Sequence, residues 1–149
     1  MAIRRRRAEA PRHPVVFLEE AKNEFLNVPA FYRGPIAAHL RKISKEGCRV
    51  AGYALSGDEP WPRICSKHFG EEWRVLVTFL DDGRVVVIAV EQHNVRNDPY
   101  VNTAQALDLR VSTAPRKKPP CCVDGVPALM ARARLEELGL AFARLKDIG

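Results

Sequence analysis

The stretch WRVLVTFLDDGRVVVIAV, residues 73–90, contains two apolar runs separated by Asp81, Asp82 and Gly83. Both runs are rich in Val, Leu, Ile and Phe, which favour strands, and Asp-Gly suits a tight turn because both residues tolerate positive φ. Apolar side chains alternate to both sides of each run, so both faces of each strand are predicted to be buried. The stretch therefore predicts a β-hairpin at the centre of a sheet.

A polar stretch, EQHNVRNDPY, follows the second strand directly and spans residues 91–100. It places His93, Asn94, Arg96 and Tyr100 at one end of the apolar hairpin. Loops at the ends of strands often carry functional side chains. These polar side chains are therefore candidates for a site.

Two amphipathic helices are predicted before the hairpin. Apolar side chains recur at helical spacing over residues 15–27, and a second helix is expected to begin at Pro35 and to end at Gly47. A third strand is predicted over residues 63–69, and Gly70 leads it into the hairpin. The order predicts an α+β fold, with an N-terminal helical hairpin packed on an antiparallel sheet of about four strands.

The chain after Tyr100 changes in character. Pro99 is expected to resist a helix around Tyr100. Residues 110–126 are rich in Pro and Lys and are predicted to form a linker. Residues 127–149 are predicted to contain an additional C-terminal helix of about four turns from Pro127, because apolar side chains recur there at helical spacing.

Composition sets broad limits on the protein class. With 149 residues and 46% hydrophobic side chains, the chain is long enough for one domain with a buried core. It has no apolar stretch as long as a membrane span, so no membrane partner is expected. The start has basic residues without a following apolar segment, which is atypical of a secretory signal and predicts a cytoplasmic location.

The formal net charge of +6 lies mainly in the flanks of the chain. Residues 1–14 form a basic N-terminal arm that includes Arg4, Arg5, Arg6 and Arg7. Such an arm attracts phosphate backbones or an acidic partner through salt-sensitive electrostatics, and it is also typical of a solvated terminus. Both interpretations are open.

The four cysteines are Cys48, Cys65, Cys121 and Cys122. A structural zinc site usually has Cys or His pairs two to four residues apart, whereas the closest cysteines here are adjacent. We therefore expect ordinary thiols in a reducing cytoplasm, with no metal site and no cofactor.

The segment of about residues 15–108 resembles the RelE/ParE superfamily of bacterial toxin–antitoxin toxins. The resemblance is carried by the helix pair over residues 15–47, by WRVLV followed by DDGRVVVIAV, and by the polar run that ends at Tyr100. It implies a RelE-like toxin domain over residues 15–109, with both tails outside it.

The RelE branch implies a metal-independent endoribonuclease, an mRNA interferase, that cuts mRNA on the ribosome and thereby inhibits translation. Arg74 matches the arginine of that branch that stabilises the phosphate, and Lys67 matches one of its strand lysines. Tyr100 matches a tyrosine that stacks on the base or takes part in proton transfer. His93 stands near a position where relatives carry arginine or histidine, and a histidine near neutrality suits a general acid or base.

Further substrate contacts are less direct matches. The second strand lysine of the RelE branch falls near Cys65, with Arg63 and His68 as possible substitutes. The later arginine of that branch aligns with Asn94 or, by slippage, with Arg96. The expected catalytic residues are Lys67, Arg74, His93 and Tyr100, and the expected substrate-binding residues are Arg63, His68, Asn94 and Arg96.

Structural roles and other functions compete with this hypothesis. Arg74 and Lys67 also suit exposed ion pairs, His93 a loop hydrogen bond, and Tyr100 packing on the sheet. A ParE-like member would poison DNA gyrase by binding, and a non-catalytic adaptor on the same scaffold would use the tails as binding elements. The resemblance also implies an antitoxin partner that covers the basic patch. Alternatively, the C-terminal helix folds back on the core and occupies the place of the antitoxin.

Overall fold

The computed structural model describes residues 13–111, 117–140 and 142–144. The predicted basic arm lies outside the described residues except for His13 and Pro14. In chain order, the elements are β1 (Val15–Leu18), α1 (Glu19–Leu26), α2 (Ala30–Glu46), β2 (Tyr53–Ala54), β3 (Ile64–Phe69), β4 (Trp73–Phe79), β5 (Val85–Gln92), α3 (Pro99–Ala106), β6 (Cys122–Val123), β7 (Val126–Pro127), α4 (Arg132–Glu137) and β8 (Phe142–Arg144).

The predicted hairpin is confirmed as β4 and β5, the central strands of a six-stranded sheet in the described part of the chain. The strand order is β2-β3-β4-β5-β1-β8. Leu80 N donates to Arg84 O at 2.8 Å across the turn, and Gly83 takes a φ of 90° there. Strands β2 to β5 are antiparallel, which confirms that part of the prediction, and β1 joins β5 in parallel.

The α+β fold class is confirmed, with α1 packed against β5 and α2 against β1 and β3. All residues of β5 from Val85 to Val90 are buried, as are Val75 to Phe79 of β4. Burial of both faces of these strands explains their nearly continuous apolar sequence. The core therefore forms around the hairpin, as the sequence predicts.

The first predicted helix begins four residues later than expected. Val15–Leu18 is strand β1, and all four side chains are buried between β5 and β8. A short apolar run with β-branched residues fits a buried strand as well as a helix, because periodicity alone cannot separate the two over so few residues. The parallel pairing of β1 also makes the sheet mixed rather than wholly antiparallel.

Two proline-based expectations were wrong for opposite reasons. Helix α2 begins at Ala30, and Pro35 lies inside it rather than at its start. Pro99 occupies the first position of helix α3, where its missing N–H costs nothing, and the Asp98 carboxylate caps that helix. The resistance expected from Pro99 therefore does not apply, because a proline at the start of a helix stabilises it.

The C-terminal segment contains a helix that is shorter than expected. Helix α4 covers Arg132–Glu137, and Gly139 follows with a φ of 67°, a left-handed conformation that ends helices. Leu135 is fully buried, so α4 packs on the core. Phe142–Arg144 is strand β8, paired antiparallel with β1, while residues 141 and 145–149 lie outside the described part.

The expectation of free thiols was wrong. Cys48 bonds to Cys122 and Cys65 bonds to Cys121. The paired Cα atoms lie 5.9 and 5.6 Å apart, within the range that disulfides require. Sequence separations of 74 and 56 residues gave no local pattern from which these pairs could be recognised. The segment predicted as a linker is thus joined covalently to the domain.

No helix in the described ranges has the length and apolar character needed to cross a membrane.

A pair of carboxyl groups joins α1 to the end of β5. Glu24 Oε1 accepts a hydrogen bond from Val90 N at 3.2 Å. The pKa of Glu24 is raised to about 8. Burial is the larger cause, and the hydrogen bond with the Glu91 carboxyl is the second. The folded protein therefore holds a proton on this pair that the unfolded chain releases near pH 4.5.

This proton makes stability depend on pH. Because the pKa of Glu24 is higher in the folded protein, its contribution to the free energy of unfolding is fully present below about pH 4.5. This contribution is lost as the pH rises toward about 8. We expect Glu24→Gln to flatten this decline and to make the variant more stable than wild type at about pH 8, measured by urea unfolding across pH. The exposed Glu46→Gln is the control, and equal pH slopes for Glu24→Gln and wild type would contradict the assignment.

Candidate functional site

The candidate site lies on the sheet face that points away from α2. Phe69 and Trp73 are paired across β3 and β4 and face α2, where the His39 ring lies 5.3 Å from Phe69. Side chains alternate along strands, so the next pair, His68 and Arg74, points to the opposite face. A cavity of about 320 Å³ opens there.

Tyr100 reaches this cavity from the first turn of α3. Asp98 Oδ1 accepts hydrogen bonds from Tyr100 N at 2.9 Å and from Val101 N at 3.3 Å, which fixes the start of the helix. The Tyr100 hydroxyl lies 3.3 Å from Ser66 Oγ and 3.3 Å from the Tyr53 hydroxyl. The cap of α3 therefore positions a phenol over β3.

His68 and His93 lie on either side of the two tyrosines. The Tyr53 hydroxyl is 2.6 Å from His68 Nε2, a short hydrogen bond between β2 and β3. The His93 ring packs edge-on against Tyr100, with centroids 5.3 Å apart. Two imidazoles and two phenols thus form one connected cluster, which can donate, accept and relay protons.

Cations surround this cluster. The residues that line the cavity are Tyr53, Leu55, Ser56, Trp61, His68, Arg74, His93, Asp98, Tyr100, Val111, Lys117 and Lys118. Lys118 Nζ lies 5.5 Å from the centroid of the Tyr53 ring. Asp98 is the single acidic residue among the lining residues, and it is engaged as the cap of α3. The cavity is therefore suited to an anionic ligand.

Arg74 has no acidic partner in the part of the chain that the structure describes. It stands opposite Glu91 in the pairing of β4 and β5, but the Glu91 carboxylate accepts hydrogen bonds from the Asn97 and Asn102 side chains instead. Arg74 Nη1 donates to Trp73 O at 3.0 Å, and Arg74 Nε is buried without a hydrogen-bond partner there. The guanidinium charge is thus left uncompensated beside the cavity.

These surroundings change the acidity of the cluster. Burial lowers the pKa of His68 to about 4, and the positive charges of Arg74 and Lys118 lower it as well. Burial raises the pKa of Tyr100 above its ordinary value. At neutral pH, His68 is therefore an uncharged imidazole that can accept a proton, and Tyr100 is a neutral phenol.

The structure brings four of the predicted site residues to this cavity. They are His68, Arg74, His93 and Tyr100. Three of them were expected as catalytic residues and His68 as a substrate contact. Their convergence comes from the pairing of β3 with β4 and from the position of α3.

The other four predicted residues lie elsewhere. Lys67 is exposed on the opposite face of β3. Burial lowers the pKa of His39 there, and the positive charge of Lys67 lowers it as well. Arg63 Nε pairs with Glu59 at 2.6 Å, and its Nη1 donates to Leu129 O. Asn94 Oδ1 accepts from the N–H of Arg96 at 2.9 Å, in an exposed turn after β5.

Sequence reasoning did not identify Tyr53, Lys117 or Lys118 as site residues. Tyr53 pairs with Ser66 and so shares a face with His68, which follows only from the register of β2 on β3. The two lysines were assigned to a linker, because their segment is rich in Pro and Lys. Their position at the cavity depends on the disulfides of the adjacent cysteines, which the sequence did not predict. Trp61 also lines the cavity, and its Nε1 donates to Arg110 O at 2.7 Å.

Comparison with known proteins finds similar solved structures. No protein-family model and no curated protein matches the sequence. The chain is similar to the toxin–antitoxin complex RelBE2 from Mycobacterium tuberculosis, with a TM-score of 0.45 and 20% identity, over 54% of this chain and 98% of that chain. It is also similar to a mutant of the E. coli toxin RelE in the free state, with a TM-score of 0.44 and 17% identity, over 54% of this chain and 82% of that chain.

Proposed function

We propose that this protein is a RelE-like toxin that cleaves RNA without a metal ion, and that the cavity beside Arg74 is its active site. One observation carries the proposal: two imidazoles, two phenols and an uncompensated guanidinium converge on one cavity of about 320 Å³. The resemblance of the hairpin and the polar run to the RelE branch supports the same chemistry. Cleavage on the ribosome and an antitoxin partner are further parts of this proposal.

The reaction begins with attack of the RNA 2′-hydroxyl on the neighbouring phosphate. A catalyst must remove the hydroxyl proton, balance the added charge on the phosphorane-like transition state and protonate the leaving 5′-oxygen. Arg74 is placed to balance the charge, because its guanidinium has no acidic partner among the described residues and matches phosphate geometry. Lys118 adds a second positive charge over the Tyr53 ring.

His68 takes the role of the proton acceptor. Its pKa of about 4 keeps the ring neutral at the start of the reaction. The hydrogen bond with Tyr53 fixes the ring position. A bound phosphate brings negative charge that offsets Arg74 and Lys118, the cations that lower the pKa of this ring, so substrate binding makes His68 a stronger base.

The leaving oxygen receives its proton from the opposite side of the cluster. His93 and Tyr100 lie together there, with their rings in edge-on contact, and either can donate. Lys67, which was expected to be a catalytic residue, has no part in this mechanism because it lies on the far face of β3. The proposed place of action is the cytoplasm, where translated messages are found.

Arg74→Ala tests the charge-balancing step. We expect it to reduce cleavage of messages on translating ribosomes by about 100-fold or more, since losing one preorganised charge contact to a transition state typically costs this much. The readout is the amount of truncated message after addition of purified protein.

The matched control is Arg84→Ala, which removes the same charge from an exposed ion pair with Asp82 at the hairpin turn and should retain activity. Intact messages with the wild-type protein would overturn the nuclease proposal. Gyrase cleavage complexes in the same preparation would then identify a ParE-like poison, and the absence of both activities would leave a binding protein.

The acidity of His68 gives an independent prediction. Its ring titration, followed by NMR and assigned by loss of the signal in His68→Asn, should have a midpoint near pH 4. Arg74→Ala should raise this midpoint, because removing a nearby positive charge favours the imidazolium. Arg96→Ala, in the exposed turn after β5, should leave it unchanged, and a wild-type midpoint at the ordinary value near 6.5 would contradict the described environment.

A further inference from the structure

The basic strap, which we define as residues 117–122 with the sequence KKPPCC, forms one wall of the cavity. It runs along the outer edge of β2, where Ala54 N donates to Pro119 O at 2.8 Å and Cys121 N donates to Gly52 O at 3.3 Å. This path brings Lys117 and Lys118 to the cavity. The strap is therefore part of the site, although it is distant in sequence from every other lining residue except Val111.

The strap is held covalently by its two cysteines and otherwise by a few hydrogen bonds. Residues 117–120 are exposed, whereas Cys121 is 6% exposed. Pro119 and Pro120 have no N–H to donate to β2, so the strap makes few backbone hydrogen bonds. Ser56 adds two hydrogen bonds, since its hydroxyl donates to Lys117 O at 3.1 Å and accepts from Lys117 N at 3.0 Å.

The two disulfides attach the strap to different elements. Cys122 is bonded to Cys48, which follows α2, and Cys121 is bonded to Cys65 in β3. Adjacent residues are thus fixed to two separate points, so the strap can neither slide along β2 nor turn about a single bond. Cys65 is three residues from His68 on the same strand, which ties the position of the lysines to the strand that carries the proposed base.

The strap supplies two of the three Lys and Arg side chains that line the cavity. Arg74 comes from β4 and is held by the sheet, whatever the state of the cysteines. Lys118 lies over the Tyr53 ring, close enough for its charge to affect His68. Loss of the strap would leave Arg74 as the sole Lys or Arg among the residues that line the cavity.

We propose that the two disulfides switch the site: when they are formed, the strap holds Lys117 and Lys118 as a wall that binds the phosphates of a single-stranded nucleic acid, and reduction releases this wall. The proposal rests on the proposed function, because it concerns the same cavity. A dithiol is the co-reactant. Each disulfide accepts two electrons and two protons to give two thiols, and one dithiol is oxidised to its disulfide.

A binding experiment with single-stranded DNA tests this proposal. Such DNA lacks the 2′-hydroxyl, so it reports phosphate binding without cleavage. We expect the oxidised full-length protein to bind a short labelled strand, measured by fluorescence anisotropy, and dithiothreitol to weaken binding about tenfold and to reduce the salt slope by about 1.4, as for two lost phosphate contacts.

The double variant Lys117→Ala/Lys118→Ala keeps the disulfides and makes the test independent of any unfolding on reduction. When oxidised, it should bind as weakly as the reduced wild type, and dithiothreitol should have no further effect. The matched control Lys42→Ala/Lys45→Ala removes two lysines from α2, away from the cavity, and should bind and respond to reduction like wild type. Cysteine states are checked by alkylation and mass spectrometry.

The outcomes separate the two proposals. Tight binding by the oxidised Lys117→Ala/Lys118→Ala variant, undiminished binding after reduction, or no binding by oxidised wild type would each overturn the strap proposal. Redox-dependent binding together with intact messages in the ribosome assay would support the strap and reject the nuclease. Message cleavage that is equal in oxidised and reduced protein would support the nuclease and reject the strap proposal.

Discussion

The register of β3 on β4 is the constraint on which the site depends. It places His68 opposite Arg74 and Ser66 opposite Leu76, all on the face away from α2. Because side chains alternate along a strand, a slip of one residue would turn His68 toward α2 and Lys67 toward the cavity. The connection between β3 and β4 is only three residues long, 70–72, and opposes such a slip because loop length sets the register of a hairpin. The packing of the core and the chemistry of the site are thus set by the same strand pairing.

Charge in the molecule is arranged so that the cavity stays positive. Glu91, the acidic residue opposite Arg74, is held by Asn97 and Asn102 and shares a proton with Glu24 at the edge of the sheet. This arrangement leaves the Arg74 guanidinium without an acidic partner in the described ranges. The local cost of an uncompensated cation is acceptable where a ligand phosphate can later supply the opposite charge. In the proposed mechanism, burial and the same cations keep the His68 imidazole neutral until that charge arrives.

Sequence patterns predicted the elements that depend on residues close together in the chain. The hairpin follows from the alternation of residues 73–90 and from its Asp-Gly turn, and the two helices before it follow from apolar spacing. The position of β1 was missed, because a four-residue buried run has no distinctive period. Pro99 was misjudged, because the same residue disrupts a helix in its interior and stabilises it at its start.

The site was predictable only in part for a related reason. Arg74 lies at the start of a predicted strand, His93 directly follows another, and Tyr100 ends the polar run, so sequence could single them out. Tyr53 enters through a strand of two residues, and Lys118 enters through pairings of cysteines 56 and 74 residues apart. Pairings between residues so far apart in sequence form only in the folded chain and leave no local pattern in the sequence. Lys67 and His68 show the same limit, because adjacent strand residues point to opposite faces and only the pairing shows which face carries the cavity.

Strand β8 has a consequence for how the chain can be shortened. It is an outermost strand of the sheet, and its backbone covers the side of β1 that β5 leaves open. Without it, four consecutive apolar residues, Val15 to Leu18, would present unpaired amide and carbonyl groups to the solvent, as an exposed template for intermolecular β-pairing. A truncation after Gly139 would therefore retain the hairpin and the cavity but produce a molecule prone to self-association, so the C-terminal segment protects solubility at a point far from the chemistry.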